Sequence, residues 1–155
     1  MQRILSLIIL LAAVIFGVSA QDYNIQAAGV TPSGDYLVRV TAVLDKKQYK
    51  EAQDYLKKLA VDGIMFRGVS AAAGLQGQKP LVTDPSVRTT KAEFFEAFNN
   101  EKLYQIYATV TPSSVVTTQL PKKKYEVKGL VSIRKEDLLH FLEENGVVKG
   151  MSNLW

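Results

Sequence analysis

Hydrophobic and polar residues alternate along two stretches of the chain, and this alternation predicts β-strands that bury one face. Residues 36–44 place Tyr36, Val38, Val40, Ala42 and Leu44 on one side and a mixture of residues on the other. Residues 125–133 repeat the pattern. A further strand is predicted over residues 103–111, which are rich in Tyr, Ile, Thr and Val, while residues 115–120 either extend the sheet edge or form a loop.

Three other stretches show the three- and four-residue spacing of amphipathic helices. The first follows Asp45, which can cap it, and its apolar stripe runs through Gly63 to a stop at Gly68. Because Gly63 lacks a side chain, we expect it to let this helix approach the sheet closely. The second helix is short and aromatic, and it begins at a capping box over residues 90–93. The last covers residues 135–145.

These elements predict an α+β fold with the order strand-helix-helix-strand-strand-helix. Two or three helices would cover one face of a small, largely antiparallel sheet of three or four strands. Residues 21–34 contain two glycines and a proline and indicate an irregular lead-in, so a single domain is expected over residues 35–155. The least regular part of this domain is the long loop 68–89, and the apolar tail 147–155 is expected to dock on its body.

The first twenty residues form a separate segment. Arg3 is followed by an apolar run from Ile4 to Val18, and Val18-Ser19-Ala20 offers acceptable side chains for a signal peptidase. Residues 1–20 therefore predict a cleaved secretory signal peptide, with an uncleaved membrane anchor as the alternative. The run is shorter than the roughly 20 residues that span a bilayer, so we expect no transmembrane span after signal removal.

Composition narrows the class of protein. The 155 residues are 47% hydrophobic and 22% charged, as in a globular domain, and the net charge is +4. Loss of Arg3 from the 19 basic residues would leave 18 against 15 acidic residues, an excess too small to indicate nucleic-acid binding. The chain has no cysteine, which excludes disulfides, thiolate metal sites and lipidation at a cysteine after the signal. Export without cysteines favours a bacterial envelope or secreted protein.

The strand YLVRVTAVL and the helix that follows it resemble small exported proteins of uncharacterised function in Bacteroidetes. The resemblance rests on a helix that ends in the pattern Ala-Val-x-Gly-apolar-x-Phe-basic-Gly, here residues 60–68, and it extends to the tail VSIRKEDLLHFLEENGVVKGMSNLW. The strand–helix unit is more distantly similar to the N-terminal domain of flagellar assembly protein T and to related envelope lipoproteins, although no cysteine follows the signal here. The resemblance implies an envelope or secreted location and carries no catalytic residues.

The long loop is the first candidate for a binding surface, because loops carry function more often than cores do. Its candidate residues are Gly74, Gln76, Gly77, Lys79, Asp84 and Arg88. Residues 74–77 also fit the Gly-x-x-Gly loop that KH domains place between two helices to clamp nucleic acid. The signal peptide, the length of the segment and the modest charge all oppose nucleic acid as the partner. A flap that only covers the sheet is the alternative to a binding loop.

A second candidate surface is the run Lys122, Lys123 and Lys124, which either contacts an anionic lipid or glycan surface or guards a sheet edge against association. His140 is the only histidine, so neither a cysteine nor a second histidine can complete a zinc site around it. No Gly-x-Ser-x-Gly elbow accompanies it. We therefore predict no catalytic residue, no metal and no cofactor.

Together these patterns lead to a hypothesis about function. We expect an exported, non-enzymatic protein, located in the periplasm, at the outer envelope or outside the cell. It would act as a protein-interaction module for another envelope or secreted protein. The alternative is a module that binds an anionic polymer or lipid surface through Lys79, Arg88 and residues 122–124. The sequence leaves the identity of the partner and the oligomeric state open.

Overall fold

The computed structural model describes residues 23–150, so the predicted signal peptide and the end of the apolar tail lie outside the described residues. The described chain forms five β-strands and six α-helices. The strands are β1 (Tyr23–Val30), β2 (Tyr36–Asp45), β3 (Ala108–Val110), β4 (Val116–Leu120) and β5 (Lys124–Ile133). The helices are α1 (Lys46–Tyr49), α2 (Ala52–Asp62), α3 (Val87–Thr90), α4 (Ala92–Asn100), α5 (Tyr104–Tyr107) and α6 (Lys135–Glu144).

The sheet confirms the predicted α+β class, and every strand pairing in it is antiparallel. Its order is β1-β2-β5-β3, and β4 also pairs with β5. Since β2 runs along one side of β5 for its whole length, β3 and β4 share the other side. The sheet therefore has five strands, and the prediction of three or four was wrong.

The extra strand is β1, which replaces most of the lead-in predicted over residues 21–34. Ile25 pairs with Val40 and Ala27 pairs with Val38, and all four side chains are buried. This pairing outweighs the weak strand preference of the alanines and glycine in β1. The domain consequently includes residues from Tyr23 onward and does not begin at residue 35.

One face of the sheet is covered by helices, as predicted, and the other is open to solvent. Alternate residues of β2 and β5, such as Val40 and Val131, are fully buried and belong to one continuous core. Helix α2 lies directly on β5. Its Leu56 side chain packs on Gly129, where an added Cβ would be only 2.8 Å from Leu56 Cδ1. The open face carries exposed or half-buried residues, namely Gln26, Leu37, Arg39, Thr41, Val43, Glu126, Lys128, Leu130 and Ser132.

At the two ends of α4 the structure corrects two predictions. Residues 104–107, predicted as strand, form α5, because α4 ends in a Schellman motif that turns the chain: the Leu103 amide donates to the Phe98 carbonyl (2.9 Å), and Lys102 adopts a left-handed φ of 54°. Residues 90–93 form no capping box, because Thr90 ends α3 and Lys91 is the N-cap residue of α4. Asp45 does cap α1 as predicted, accepting a hydrogen bond from the Gln48 amide at 2.8 Å.

Helix α2 continues into a π-helical turn over residues 63–67, and this turn brings it against β1. An added Cβ at Gly63 would lie 3.1 Å from two side-chain carbons of Ile25, so the predicted close approach of Gly63 to the sheet is confirmed. The Gly68 amide donates to the Gly63 carbonyl at 2.8 Å and closes the turn. Gly68 itself has a φ of 78°, which favours glycine and ends the helix there as predicted.

Candidate functional site

The segment that follows Gly68 returns to satisfy the end of the preceding helix. The last carbonyls of a helix lack partners within it. Here the Leu81 amide donates to the Ile64 carbonyl at 3.0 Å, and the Val82 amide donates to the Met65 carbonyl at 2.9 Å. Val82 is also buried in the core. The second half of the predicted loop 68–89 is therefore tied to the domain, and it reaches α3 at residue 87.

The first half of this segment is a small hairpin over residues 69–78, which we call the 69–78 hairpin. Val69 and Gln78 exchange two backbone hydrogen bonds, at 2.7 and 2.9 Å. Ser70 then joins the hairpin to the outer edge of β1, because its amide donates to the Ile25 carbonyl (3.0 Å) and its carbonyl accepts from the Ala27 amide (2.9 Å). Residues 69–78, which were predicted as part of an irregular loop, therefore form an ordered extension of the sheet.

The tip of the 69–78 hairpin is a two-residue turn. The backbones of Ala72 and Leu75 exchange hydrogen bonds of 3.2 and 2.9 Å across it, and the central residues Ala73 and Gly74 have φ values of 51° and 77°. Two successive positive φ angles are the signature of a type I′ hairpin turn. An added Cβ at Gly74 would meet no atom within 4 Å, and Leu75 is 40% exposed. The tip therefore presents an apolar side chain on a defined backbone.

Gly77 holds the two sides of the 69–78 hairpin at close range. An added Cβ there would overlap the Val69 carbonyl oxygen and would lie 3.0 Å from the Ala71 nitrogen. Both contacts are with main-chain atoms, which cannot turn aside as a flexible side chain can. The sequence singled out Gly77 for a Gly-x-x-Gly motif, but in the structure its role is to let the two backbones pack.

A cluster of charged and aromatic side chains supports the base of the hairpin. The Tyr23 hydroxyl donates to Asp62 Oδ2 at 2.6 Å, and the Arg88 guanidinium pairs with Asp62 Oδ1 at 3.3 Å. Arg67 lies over the Tyr23 ring at 3.9 Å and Arg88 lies over the Phe66 ring at 4.4 Å, both as cation–π pairs. Burial, reinforced by the Asp62 carboxylate, raises the pKa of Tyr23 far above its ordinary 10.0, so this hydroxyl remains a donor at neutral pH.

Beside this cluster lies an open groove of about 380 Å³, lined by residues 67–70 and 77–80. Two of its lining residues, Gly68 and Gly77, have no side chain, and Arg67 and Lys79 are its basic residues. The Gln78 side chain is oriented by two contacts, since its Nε2 donates to the Lys79 carbonyl at 3.0 Å and its Oε1 accepts from Lys135 Nζ at 3.3 Å. The groove therefore has two basic residues, and no carboxylate lines it among the described residues.

The structure separates the predicted site residues into three groups. Gly74, Gln76, Gly77 and Lys79 lie together on or next to the 69–78 hairpin. Arg88 packs on its supporting cluster. Asp84 lies further along and starts the turn into α3, where hydrogen bonds from the Ser86 hydroxyl and amide lower the pKa of its carboxyl.

The lysine run belongs elsewhere on the molecule. Lys122 and Lys123 form the turn between β4 and β5, and Lys124 begins β5. The 69–78 hairpin adjoins β1, so β2 and β5 lie between it and this turn. The structure therefore does not bring Lys79 and Arg88 together with residues 122–124 into one basic surface.

The Gly-x-x-Gly motif lacks the setting that a KH domain requires. Residues 74–77 lie in a β-hairpin between the π-helical turn and α3, and not in a loop that directly joins two helices. The observed order of elements also opens with two paired strands, which departs from the predicted order strand-helix-helix-strand-strand-helix. The structure therefore lacks the loop between two helices, and the order of elements, on which the suggestion of KH-like nucleic-acid binding was based.

His140, the remaining titratable residue that the sequence analysis considered, lies on the surface of α6. His140 Nε2 is 3.2 Å from Glu144 Oε1, and its side chain is 72% exposed. Arg134 pairs with Asp137 at 2.6 Å in the first turn of the same helix. Within residues 23–150, no group of three or more His, Asp or Glu side chains could hold a metal ion.

Sequence reasoning missed three supporting residues of the site: Tyr23, Asp62 and Phe66. Tyr23 lies in the segment that was predicted to be an irregular lead-in. Asp62 and Phe66 lie at the end of a helix, and the π-helical turn there changes which residues face β1. The one sequence signal for them is the pairing of Phe66 with Arg67 directly before Gly68.

Comparison with known proteins adds no relative: no family model, no curated protein and no solved structure matches this chain. Among the described helices, none is both long enough and apolar enough to cross a membrane. The candidate site is therefore defined by its own geometry, an anchored hairpin with an exposed apolar tip beside a groove that Arg67 and Lys79 line.

Proposed function

We propose that this chain is an exported, non-enzymatic protein-interaction module that binds another envelope or secreted protein through the tip of the 69–78 hairpin. The observation that carries the proposal is the preorganised tip. Backbone hydrogen bonds fix the hairpin on β1, while Leu75 and Gln76 are exposed at its end. A rigid tip loses little conformational entropy on binding, and this makes an exposed apolar side chain there an efficient anchor.

The contacts at the base of the 69–78 hairpin and the exposure of Leu75 at its tip both support a role in binding a partner protein. The Asp62–Arg88 ion pair and the two cation–π contacts hold the turn before the hairpin against its neighbours, so the base of the hairpin is attached to the folded domain. Loop residues that only cover a sheet would bury their apolar side chains against it. Leu75 instead points its side chain toward solvent at 40% exposure, whereas Val82 in the same segment is buried.

Affinity capture from native envelope extracts tests the proposal. Immobilised protein is compared with the variants Leu75→Asp and Val30→Asp, the second of which places the same charge at another exposed apolar residue, on β1. Deletion of the segment would be a poor test because it removes buried Val82. We expect a partner that is retained by the starting protein and by Val30→Asp but lost with Leu75→Asp. Identical captured proteins in all three samples would overturn the proposal.

A second candidate function, binding to an anionic polymer or lipid surface, is favoured by the groove beside the hairpin. Arg67 and Lys79 line this groove together with main-chain groups. Binding to heparin or to vesicles that contain anionic lipid should fall as salt rises and should weaken with Lys79→Glu. Retention that is independent of salt would remove this candidate.

A further inference from the structure

The two edges of the sheet differ in how they are protected. At the β1 edge, Ser70 of the 69–78 hairpin already occupies the backbone groups of Ile25 and Ala27. At the other edge, β4 pairs only with β5, and its first four residues are exposed, with Val116 at 60%. The sequence of β4, VTTQL, is rich in β-forming residues and contains no charge or proline that would discourage another strand.

The direction of the backbone groups on β4 follows from its register with β5. Leu130 directs its carbonyl to the Thr111 amide and its amide to Ser114 Oγ, so the even-numbered residues of β5 point their backbone groups toward β3 and β4. Lys128 and Glu126 are opposite Val116 and Thr118. Val116 and Thr118 therefore bond to β5, and the amides and carbonyls of Thr117 and Gln119 point away from the sheet.

The charge near this edge is concentrated at one end. The turn after β4 carries Lys122 and Lys123, and Lys124 follows at the start of β5; all three are exposed. None of the three takes part in an ion pair between described residues, whereas Lys128 of β5 pairs with Glu126 at 3.1 Å. Lys122 and Lys123 also have positive φ values, 63° and 56°, which hold them in a tight turn beyond the strand. These lysines lie past the end of β4 and leave its outer edge unguarded.

From this arrangement we propose that β4 is a docking edge that accepts an extended segment of a partner protein as an additional antiparallel strand. Acidic residues at the N-terminal end of that segment would lie beside Lys122 and Lys123, because an antiparallel strand starts where β4 ends. The backbone groups of Thr117 and Gln119 supply the hydrogen bonds and the lysines set the direction of the added strand. This edge is independent of the 69–78 hairpin, so it is a second interface.

Two fluorescent peptides of equal composition test the proposal by anisotropy at low salt. One is Asp-Asp-Glu-Val-Thr-Val-Thr-Gly-Ser and the other is its exact reverse in order. We expect the first peptide to bind about tenfold more tightly than the second, because only its acids reach the lysines. Equal affinities, tighter binding of the reversed peptide, or no binding of either at about 1 mM would overturn the proposal.

Protein variants locate the binding at β4. Gln119→Pro removes an outward amide without breaking a bond to β5 and should abolish binding, whereas Gln119→Ala keeps the amide and should preserve it. Lys122→Glu with Lys123→Glu should weaken binding about tenfold, while the same charge change at Lys58 and Lys149 should not. If Gln119→Pro does not fold, the lysine variants alone test whether the peptide binds at β4. Sedimentation that shows a dimer lost in Gln119→Pro would assign the edge to a second copy of this chain and overturn the proposal.

Discussion

Gly77→Ala is the substitution that most directly tests whether the 69–78 hairpin is as tightly built as its contacts indicate. The new methyl group would overlap the Val69 carbonyl oxygen and would lie 3.0 Å from the Ala71 nitrogen. Ordinary contacts of this kind are near 3.3–3.6 Å, and both neighbours are main-chain atoms. The two sides of the hairpin must therefore move apart, and the hydrogen bonds between Val69 and Gln78 must lengthen.

The expected cost is about 1–3 kcal/mol, the usual range for inserting a methyl group into a packed site. A loss of about 2 kcal/mol that is confined to the hairpin would speed amide hydrogen exchange there about thirtyfold. The amides of Val69 and Gln78 are the reporters, and the amides of α2 report on the stability of the whole domain.

The matched control is Gly74→Asn, because Gly74 has open space around it and a φ of 77° that asparagine tolerates. We expect exchange in this variant to stay close to that of the starting protein. Unchanged exchange at Val69 and Gln78 in Gly77→Ala would refute the argument that this glycine sets the spacing of the hairpin.

Three further predictions concern the supporting fold. Gly63→Leu should lower Tm by at least about 5 °C, because even a Cβ at this position lies 3.1 Å from two carbons of Ile25; an unchanged Tm would contradict the packing role. Lys102→Gly and Lys102→Ala both lose the ion pair with Asp54 (3.4 Å), so the glycine variant should have the larger free energy of unfolding in urea by about 0.5–1 kcal/mol, since glycine adopts the left-handed conformation without strain; equal stability of the two variants would be inconsistent with this cap. Burial acts to raise the pKa of Asp54, but hydrogen bonds from Gln105 and Tyr104 together with Lys102 outweigh it and hold the pKa below 3.8. The stability that Asp54 contributes is thus present above pH 3.8 and is lost as the pH falls through its lower folded-state pKa, so Asp54→Asn should flatten the acid limb of a urea-stability profile. An acid limb as steep as that of the starting protein would count against this assignment.

The parts of the fold that the sequence predicts well are those whose local pattern agrees with their tertiary contacts. Strands β2 and β5 alternate because one of their faces is buried, and α6 has the spacing of a helix that buries Leu138 and Leu142. Asp45 caps α1 with a short side chain that bonds within its own turn. In each case the pattern that predicts the element lies within a few consecutive residues of the chain.

The errors arise where distant contacts decide the structure. Strand β1 contains two alanines and a glycine and exists because β2 pairs with it. Residues 104–107 have strand-forming side chains, yet the chain turns at Lys102 after α4, and the Tyr104 hydroxyl, which donates to Asp54 at 2.8 Å, holds the resulting helical turn against α2.

The candidate site was located by the irregular sequence of its segment, and the Gly-x-x-Gly motif within it suggested a role that the structure does not support. Glycines and small residues in the segment 68–89 indicated a loop, whereas their actual roles are a type I′ turn at Gly74 and a close backbone contact at Gly77. Such roles depend on which backbone lies opposite, and that information is absent from the spacing of the residues.

Contact between the tip of the 69–78 hairpin and a partner protein can be detected by site-specific photo-crosslinking in native envelope extracts. A photoreactive amino acid is placed at Gln76 on the tip and, in a control, at Ser33 in the exposed turn between β1 and β2. We expect a discrete protein adduct from position 76 that is missing from position 33 and is lost when Leu75→Asp is added. Adducts of equal yield from both positions, or none from position 76, would contradict it.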